Sequence, residues 1–254
     1  MSAEEAGRLL GSAPLRLLEA TFPAVENALA LEEGLLAAVD IGESPGTLFV
    51  WEWPRPAVIV GRSNAITREV DVEACSRDDA PILRRCSGGG AVVLGTGCLC
   101  YALILPISAE HRAMGISAVT RAIMQRTAAG FVAAGHAVTV EGISDLAVDG
   151  RKFSGNSQRW MRRALLHHGT ILYDFDLSHI ARYLRFPSRQ PDYRAGRAHT
   201  SFVMNLAVAQ TEAKRIMAST WQAVEGAWLP EESHRAGELL HTRYTDAAWH
   251  RGKE

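Results

Sequence analysis

Asp149-Gly150 places the tightest local constraint on how this chain can fold. The dipeptide joins the runs SDLAV and RKFSG, and aspartate followed by glycine suits the positive φ values that a two-residue hairpin turn demands. Such a turn pairs Val148 with Arg151, Ala147 with Lys152, Leu146 with Phe153 and Asp145 with Ser154. Strand side chains alternate between faces. Leu146, Val148 and Phe153 then line one face, and Asp145, Ala147, Lys152 and Ser154 the other. A lysine on a shared face with a carboxylate and a hydroxyl can neutralise charge developing on a phosphate or carbonyl oxygen. Asp145 can hold Mg2+ beside a nucleotide. A solvated hairpin with an ordinary surface Lys–Asp pair shows the same pattern.

The segments around the hairpin carry their own signals. FPAVENALALEEGLLAAV (22–39) has helical apolar spacing and strong helix formers. GTLFVWEWPRPAVIVGRS (46–63) predicts two strands broken at its prolines. VDVEACSRD (70–78) predicts a short helix, APILRRC a strand and GCLCYALILP (97–106) another strand. SAVTRAIMQRTAAGFVAAGH (117–136) predicts an amphipathic helix capped by Ser117 and stopped at Gly135. Strands and turns follow to 173. DLSHIARYLRF (176–186), with Asp176 as its cap, and TEAKRIMASTWQAVEGAW (211–228) predict two more helices, and the tail from 230 is helical. Strands and helices mix without strict βαβ alternation. That points to an α+β fold with a mixed, largely antiparallel sheet flanked by helices. A chain of 254 residues with 47% hydrophobic content suits one large domain over 21–254 behind an N-terminal tail over 1–20.

The charge is nearly balanced, 27 Lys+Arg against 28 Asp+Glu, so no general field for nucleic acid or membrane is implied. No apolar run is long enough to span a bilayer. The N-terminus begins acidic and lacks the order of a secretory signal, so a soluble, cytoplasmic protein is expected. Cys75, Cys86, Cys98 and Cys100 lack zinc-ligand spacing and read as small buried apolar residues.

RRCSGGGAVV (84–93) is the second chemistry-bearing stretch. A glycine run lets backbone N–H groups converge on an anion, and Arg84 and Arg85 offer forked donors beside the Ser87 hydroxyl. The stretch is neither a Walker loop nor a dinucleotide fingerprint, and a glycine triplet alone is also a plain tight turn. The third stretch, HHGTILYDFDL (167–177), sets His168 and Gly169 at the start of an apolar strand.

RRCSGGGAVV, SDLAVDGRKFSG and HHGTIL, in that order, resemble the lipoate–protein ligase family within the biotin/lipoate ligase and octanoyltransferase superfamily. ENALALEE, VIVGRSN, HTSFVMNL and RYTDAAWHRGK extend the resemblance over roughly residues 20–252. It implies the catalytic-domain fold of that family and a two-step reaction. Lipoate or octanoate attacks the α-phosphate of ATP and releases pyrophosphate. A lysine on a lipoyl-carrier domain, of a 2-oxoacid dehydrogenase or of the glycine cleavage system, then takes the acyl group. ATP and Mg2+ are implied. By the same resemblance Lys152 is the catalytic lysine on the phosphate and acyl carbonyl. Arg84, Ser87, Gly88, Gly89, Gly90 and Ala91 wrap the adenylate, with Asp145 near the metal or adenine. Ser154, Gly155, His168 and Gly169 shape the rest of the binding site.

The sequence departs from the family pattern near this site. Leu94 stands where His is usual, Cys98 where Asn is usual, and Ser144 where Asn precedes Asp-Leu. The chain is also too short for the extra C-terminal domain of two-domain ligases, so a separate accessory subunit is one expectation. Another is ATP-independent transfer of an octanoyl or lipoyl group between carrier proteins. Related transferases form a thioester on a cysteine shortly before the hairpin lysine, yet VTVEGISDLAVDG contains none. Cys98 can substitute only where the fold brings it to the acyl carbonyl, and a transferase without a cysteine, with Lys152 polarising the donor thioester, stays open. A non-enzymatic acyl-binding subunit is disfavoured by the retained Lys152 and glycine loop. A biotin ligase is disfavoured by the missing GRGR-type and KWPND-type segments.

Overall fold

The structure is a computed structural model, and it describes residues 14–187 and 190–252. The loose tail expected at the very start lies outside the described residues. Along the chain the strands are β1 (Arg16–Ala20), β2 (Thr47–Trp51), β3 (Ala57–Val60), β4 (Ile82–Arg84), β5 (Val92–Leu94), β6 (Cys98–Pro106), β7 (Thr139–Glu141), β8 (Asp145–Val148), β9 (Arg151–Trp160), β10 (Ala164–Leu172) and β11 (Val224–Glu225). The principal helices are α1 (Val25–Ile41), α2 (Ile116–Ala133), α3 (Gln210–Thr220), α4 (Pro230–Leu239) and α5 (Ala247–Arg251).

Strand β6 explains the layering. Its sequence CLCYALILP is apolar at nearly every position, as a strand buried on both faces requires. Cys98, Cys100, Ala102 and Ile104 pack on the side of α1, whereas Leu99, Tyr101, Leu103 and Leu105 pack on the side of α2 and α3. Each fully buried leucine there contributes roughly 1.5–3 kcal/mol. The main sheet runs β11-β1-β2-β6-β10-β9-β8-β7. Only β11, β1 and β2 pair in parallel, so the sheet is mixed and largely antiparallel. A smaller sheet, β4-β3-β5, carries the glycine loop between β4 and β5.

Several local expectations change in the folded chain. Residues 16–20, assigned to the tail from sequence, form β1, because β2 and β11 flank it on both edges. Helix α2 begins two residues earlier than a Ser117 cap would place it, with Gly115 at its N-cap. Helix α3 ends at Thr220 instead of running to 228: Trp221 enters the core, Gln222 adopts φ 50°, and the chain turns to pair Val224 with Arg16. Leu177 is the N-cap of the 178–183 helix, while Asp176 accepts from the Ser178 amide at 2.9 Å.

The hairpin turn forms as expected, with Asp149 at φ 49° and Gly150 at φ 68°. Its register does not. Val148 faces Arg151 and Ala147 faces Lys152, but a bulge then pairs Leu146 with Ser154 and Asp145 with Gly155. Phe153 is the extra residue, fully buried edge-to-face against Phe131 with ring centroids 5.8 Å apart. Burying that ring shifts every later residue by one position. Gly155, not Ser154, therefore lies opposite Asp145.

Candidate active site

The site is a pocket between α1, the glycine loop and strands β9 and β10. Its apolar lining comes from Leu29, Trp51, Ile59, Val92, Leu94 and Cys100, and its polar lining from Glu32, Arg85, Lys152, Asn156, Ser157 and His168.

The glycine loop is shaped from beneath by Arg85. Its guanidinium donates from Nη2 to the Gly88 carbonyl at 2.5 Å and the Gly90 carbonyl at 2.9 Å, from Nη1 to Ile59 O at 3.1 Å, and from Nε to Ser87 Oγ at 3.0 Å. In a trans peptide the C=O and the following N–H point in opposite directions, and the described chain contains no cis peptide bond. Holding the Gly88 and Gly90 carbonyls therefore turns the amides of Gly89 and Ala91 away from the guanidinium. Both residues line the pocket, and among the described residues neither amide meets a protein acceptor. Two open backbone donors beside a buried cation suit an anion. Gly89 sits at φ 85°, and a Cβ there would lie 2.9 Å from Arg85 Nη2, so both conformation and space require glycine. Burial lowers Arg85 to about 10, which leaves it charged at neutral pH.

Arg84, expected at the adenylate, lies outside the pocket. Strand alternation sends it the other way, where it is buried and donates to the carbonyls of Gly61, Asn64, Trp249, His250 and Arg251. It ties α5 to the loop that follows β3. That loop supports the glycine loop, since a Cβ on Gly61 would lie 2.0 Å from Gly89 O.

Behind the loop runs a buried polar chain. His168 Nδ1 meets Glu32 Oε2 at 2.5 Å, and its Nε2 meets Ser87 Oγ at 2.5 Å. Trp51 Nε1 donates to the other Glu32 oxygen at 3.0 Å. Ser87 is buried and acts as a strut between Arg85 and His168, while the Gly88 carbonyl also accepts from Ser157 Oγ at 2.8 Å. Gly169 leaves no space for a side chain, because a Cβ would sit 1.7 Å from Asn156 Oδ1.

On the opposite wall, Lys152 Nζ lies 2.7 Å from Asp145 Oδ1. Tyr193 donates its hydroxyl to Asp145 Oδ2 at 2.8 Å. Both carboxylate oxygens are thus engaged, and among the described residues no group of three His, Cys, Asp or Glu side chains could hold a metal ion. Asp145, the expected metal ligand, has one oxygen taken by the Lys152 ammonium and the other by the Tyr193 hydroxyl. Ser154, expected beside Lys152, is turned away by the bulge and accepts from Asn156 Nδ2 at 3.1 Å. Cys98 is buried behind the pocket. Cys100 reaches the lining, and burial beside Cys98 pushes its thiol up, away from the thiolate a nucleophile needs.

Sequence reasoning missed Glu32, Trp51, Asn156, Ser157 and Tyr193, and it named Arg85 as a donor but set Arg84 in its place at the adenylate. Strand alternation around the Arg84-Arg85 doublet was the one signal that separates the two arginines. Nothing local marks Glu32 or Tyr193, which reach the site from 136 and 48 residues away from their partners.

Comparisons with known proteins show the family and the fold. The family model described as lipoyl protein ligase A/B catalytic domain matches residues 24–219. A probable lipoate-protein ligase A of Mycoplasma pneumoniae is 33% identical over 61% of this chain and 44% of its own length. The octanoyltransferase LipM of Kyrpidia tusciae is 26% identical over 87% of this chain and 92% of its own. The chain thus spans about half of the ligase relative and nearly all of the transferase relative. Among solved structures, the bipartite lipoate protein ligase system of Thermoplasma acidophilum superposes with a TM-score of 0.81 at 22% identity, covering 95% of this chain and 98% of that one. A lipoate-protein ligase A bound with ATP superposes with a TM-score of 0.80 at 21% identity, covering 94% and 99%. The fold is therefore that of the lipoate-protein ligases, and the chain belongs to the lipoyl protein ligase A/B catalytic domain family.

Proposed function

We propose that this protein joins lipoate or octanoate to a lysine of a lipoyl-carrier domain, activating the free acid with ATP. The observation that carries the proposal is the placement of the open Gly89 and Ala91 amides and Lys152 around one pocket with an apolar interior. The acyl chain occupies the apolar part. Its carboxylate attacks the α-phosphate, the bond to pyrophosphate breaks, and an acyl-adenylate forms. The acceptor ε-amine then attacks the acyl carbonyl, and AMP leaves. Both steps place negative charge on oxygens, which the amides and the Lys152 ammonium stabilise. Arg85 acts through the loop carbonyls it holds. The protein is proposed to work in the cytoplasm on a lipoyl domain of a 2-oxoacid dehydrogenase or of the glycine cleavage system, with an accessory subunit where activation requires one.

A second reading, ATP-independent octanoyl transfer from a carrier protein, draws on the likeness to the LipM octanoyltransferase. The buried, raised Cys100 thiol leaves such a transfer to proceed by direct attack of the acceptor ε-amine on the donor thioester, polarised by Lys152, with an amide bond formed, the C–S bond broken and the carrier thiol released. Intact-mass analysis of an apo lipoyl domain separates the two. Modification that needs free acid and Mg-ATP supports the ligase. Modification from octanoyl-carrier protein alone replaces it with the transferase.

A further inference from the structure

We propose that Tyr193 is a positioning residue that sets Lys152 through Asp145, and that Asp145 serves as counter-ion to this lysine rather than as a metal ligand. The inference rests on the reading above, in which Lys152 meets the reacting oxygens.

Asp145 holds Lys152 on one oxygen at 2.7 Å and Tyr193 on the other at 2.8 Å. Tyr193 is not part of the hairpin. It comes from residues 190–204, which grip the hairpin at successive points. Arg197 Nη2 donates to Gly150 O at 3.0 Å, Arg151 Nη2 donates to Val203 O at 3.1 Å, and the Met204 amide donates to Lys152 O at 2.9 Å. The tyrosine ring packs on Phe202 at 5.1 Å, and a Cβ on Gly142 would lie 3.5 Å from it, so the hydroxyl is fixed. Burial beside Asp145 raises the phenol, which keeps it protonated and a donor.

A long lysine side chain has many rotamers to lose. A carboxylate anchored from its far side narrows them. Gly155 completes the cradle, since a Cβ there would lie 2.6 Å from Nζ. The ammonium therefore waits at the pocket wall in one place. When a reacting anion draws it across, Asp145 keeps its bond to Tyr193 and remains in position for its return.

Tyr193→Phe keeps the ring and removes only the donor. Acyl transfer to an apo lipoyl domain should lose roughly tenfold in kcat with KM for the free acid unchanged. In an Asp145→Asn background the same change should have no further effect, because Tyr193 acts only through Asp145. Losses that multiply in the double variant would overturn the proposal. So would restoration of Asp145→Asn to the wild-type rate by added MgCl2, which would make Asp145 a metal ligand. A readout independent of turnover is acetylation of Lys152 by acetic anhydride, followed by peptide mass. It should rise several-fold in both single variants, and an unchanged rate overturns the proposal. A wild-type protein inactive with every acyl donor, but showing the expected labelling, overturns the functional reading alone.

Discussion

Two doublets, Arg84-Arg85 and His167-His168, divide the molecule into a reactive wall and the frame behind it. Each doublet repeats one side chain, and the strand pleat sends its members apart. Arg85 and His168 line the pocket, where they order the glycine loop and close the chain to Glu32. Arg84 and His167 do neither. Arg84 binds the C-terminal segment to the loop after β3. His167 is fully buried on the far face, with Nδ1 accepting from Gln158 at 2.8 Å. The lesson is that residue type sets what a group can do, while the face it occupies sets what it does. On the pocket side polar atoms face a space a ligand can enter. On the frame side Arg84 is consumed by backbone carbonyls, and His167 is enclosed by the core with Gln158 on its Nδ1.

The comparison is broken most directly at Lys152. Lys152→Ala should lower acyl transfer by about a thousandfold or more, since it removes a cation aimed at developing charge. The melting temperature should move by less than about 2 °C. Substantial retained turnover would remove Lys152 from the reactive wall.

The arginine doublet comes next. Arg85→Ala should lower kcat/KM by roughly a hundredfold even in the folded fraction, because the Gly88 and Gly90 carbonyls lose their anchor. Arg84→Ala should instead cost about 3 kcal/mol of stability, from several buried carbonyls left without a donor. The protein that remains folded should keep most of its activity. Denaturant titrations with activity measured per folded molecule check both, and equal losses of specific activity would erase the distinction.

The histidine doublet offers a smaller effect through pH. Burial, aided by the nearby His168, holds His167 at about 3, below its ordinary 6.5. The unfolded chain gains this proton below about 6.5 while the folded chain does not, so stability is complete above that pH. It falls by about 1.4 kcal/mol per unit as pH drops from there toward 3. His167→Asn should flatten this slope in urea titrations, and an unchanged slope would assign the acid sensitivity elsewhere. The smallest effect belongs to Cys98→Ser, buried outside the lining. Activity should change by less than about twofold, and its loss with an unchanged melting curve would favour a thioester route.

The sequence by itself determined the local elements and the chemical inventory. Asp149-Gly150 dictates a turn wherever it sits, because few dipeptides accept positive φ twice. The mixing of strands and helices without strict βαβ alternation pointed to a largely antiparallel sheet. The ordered motifs marked the glycine loop, Lys152 and His168. Tertiary structure decided what depends on distant partners. The Phe153 ring had to meet Phe131, and that contact moved the register and exchanged Ser154 for Gly155 opposite Asp145. Arg84 was lost to the pocket because the C-terminal segment supplies its acceptors. Glu32 and Tyr193 joined the site because a helix and a late loop bring them to His168 and Asp145. Backbone preferences act over a few residues and are legible in the chain. The partner of a buried charge is set by packing between elements, which no local stretch of sequence encodes.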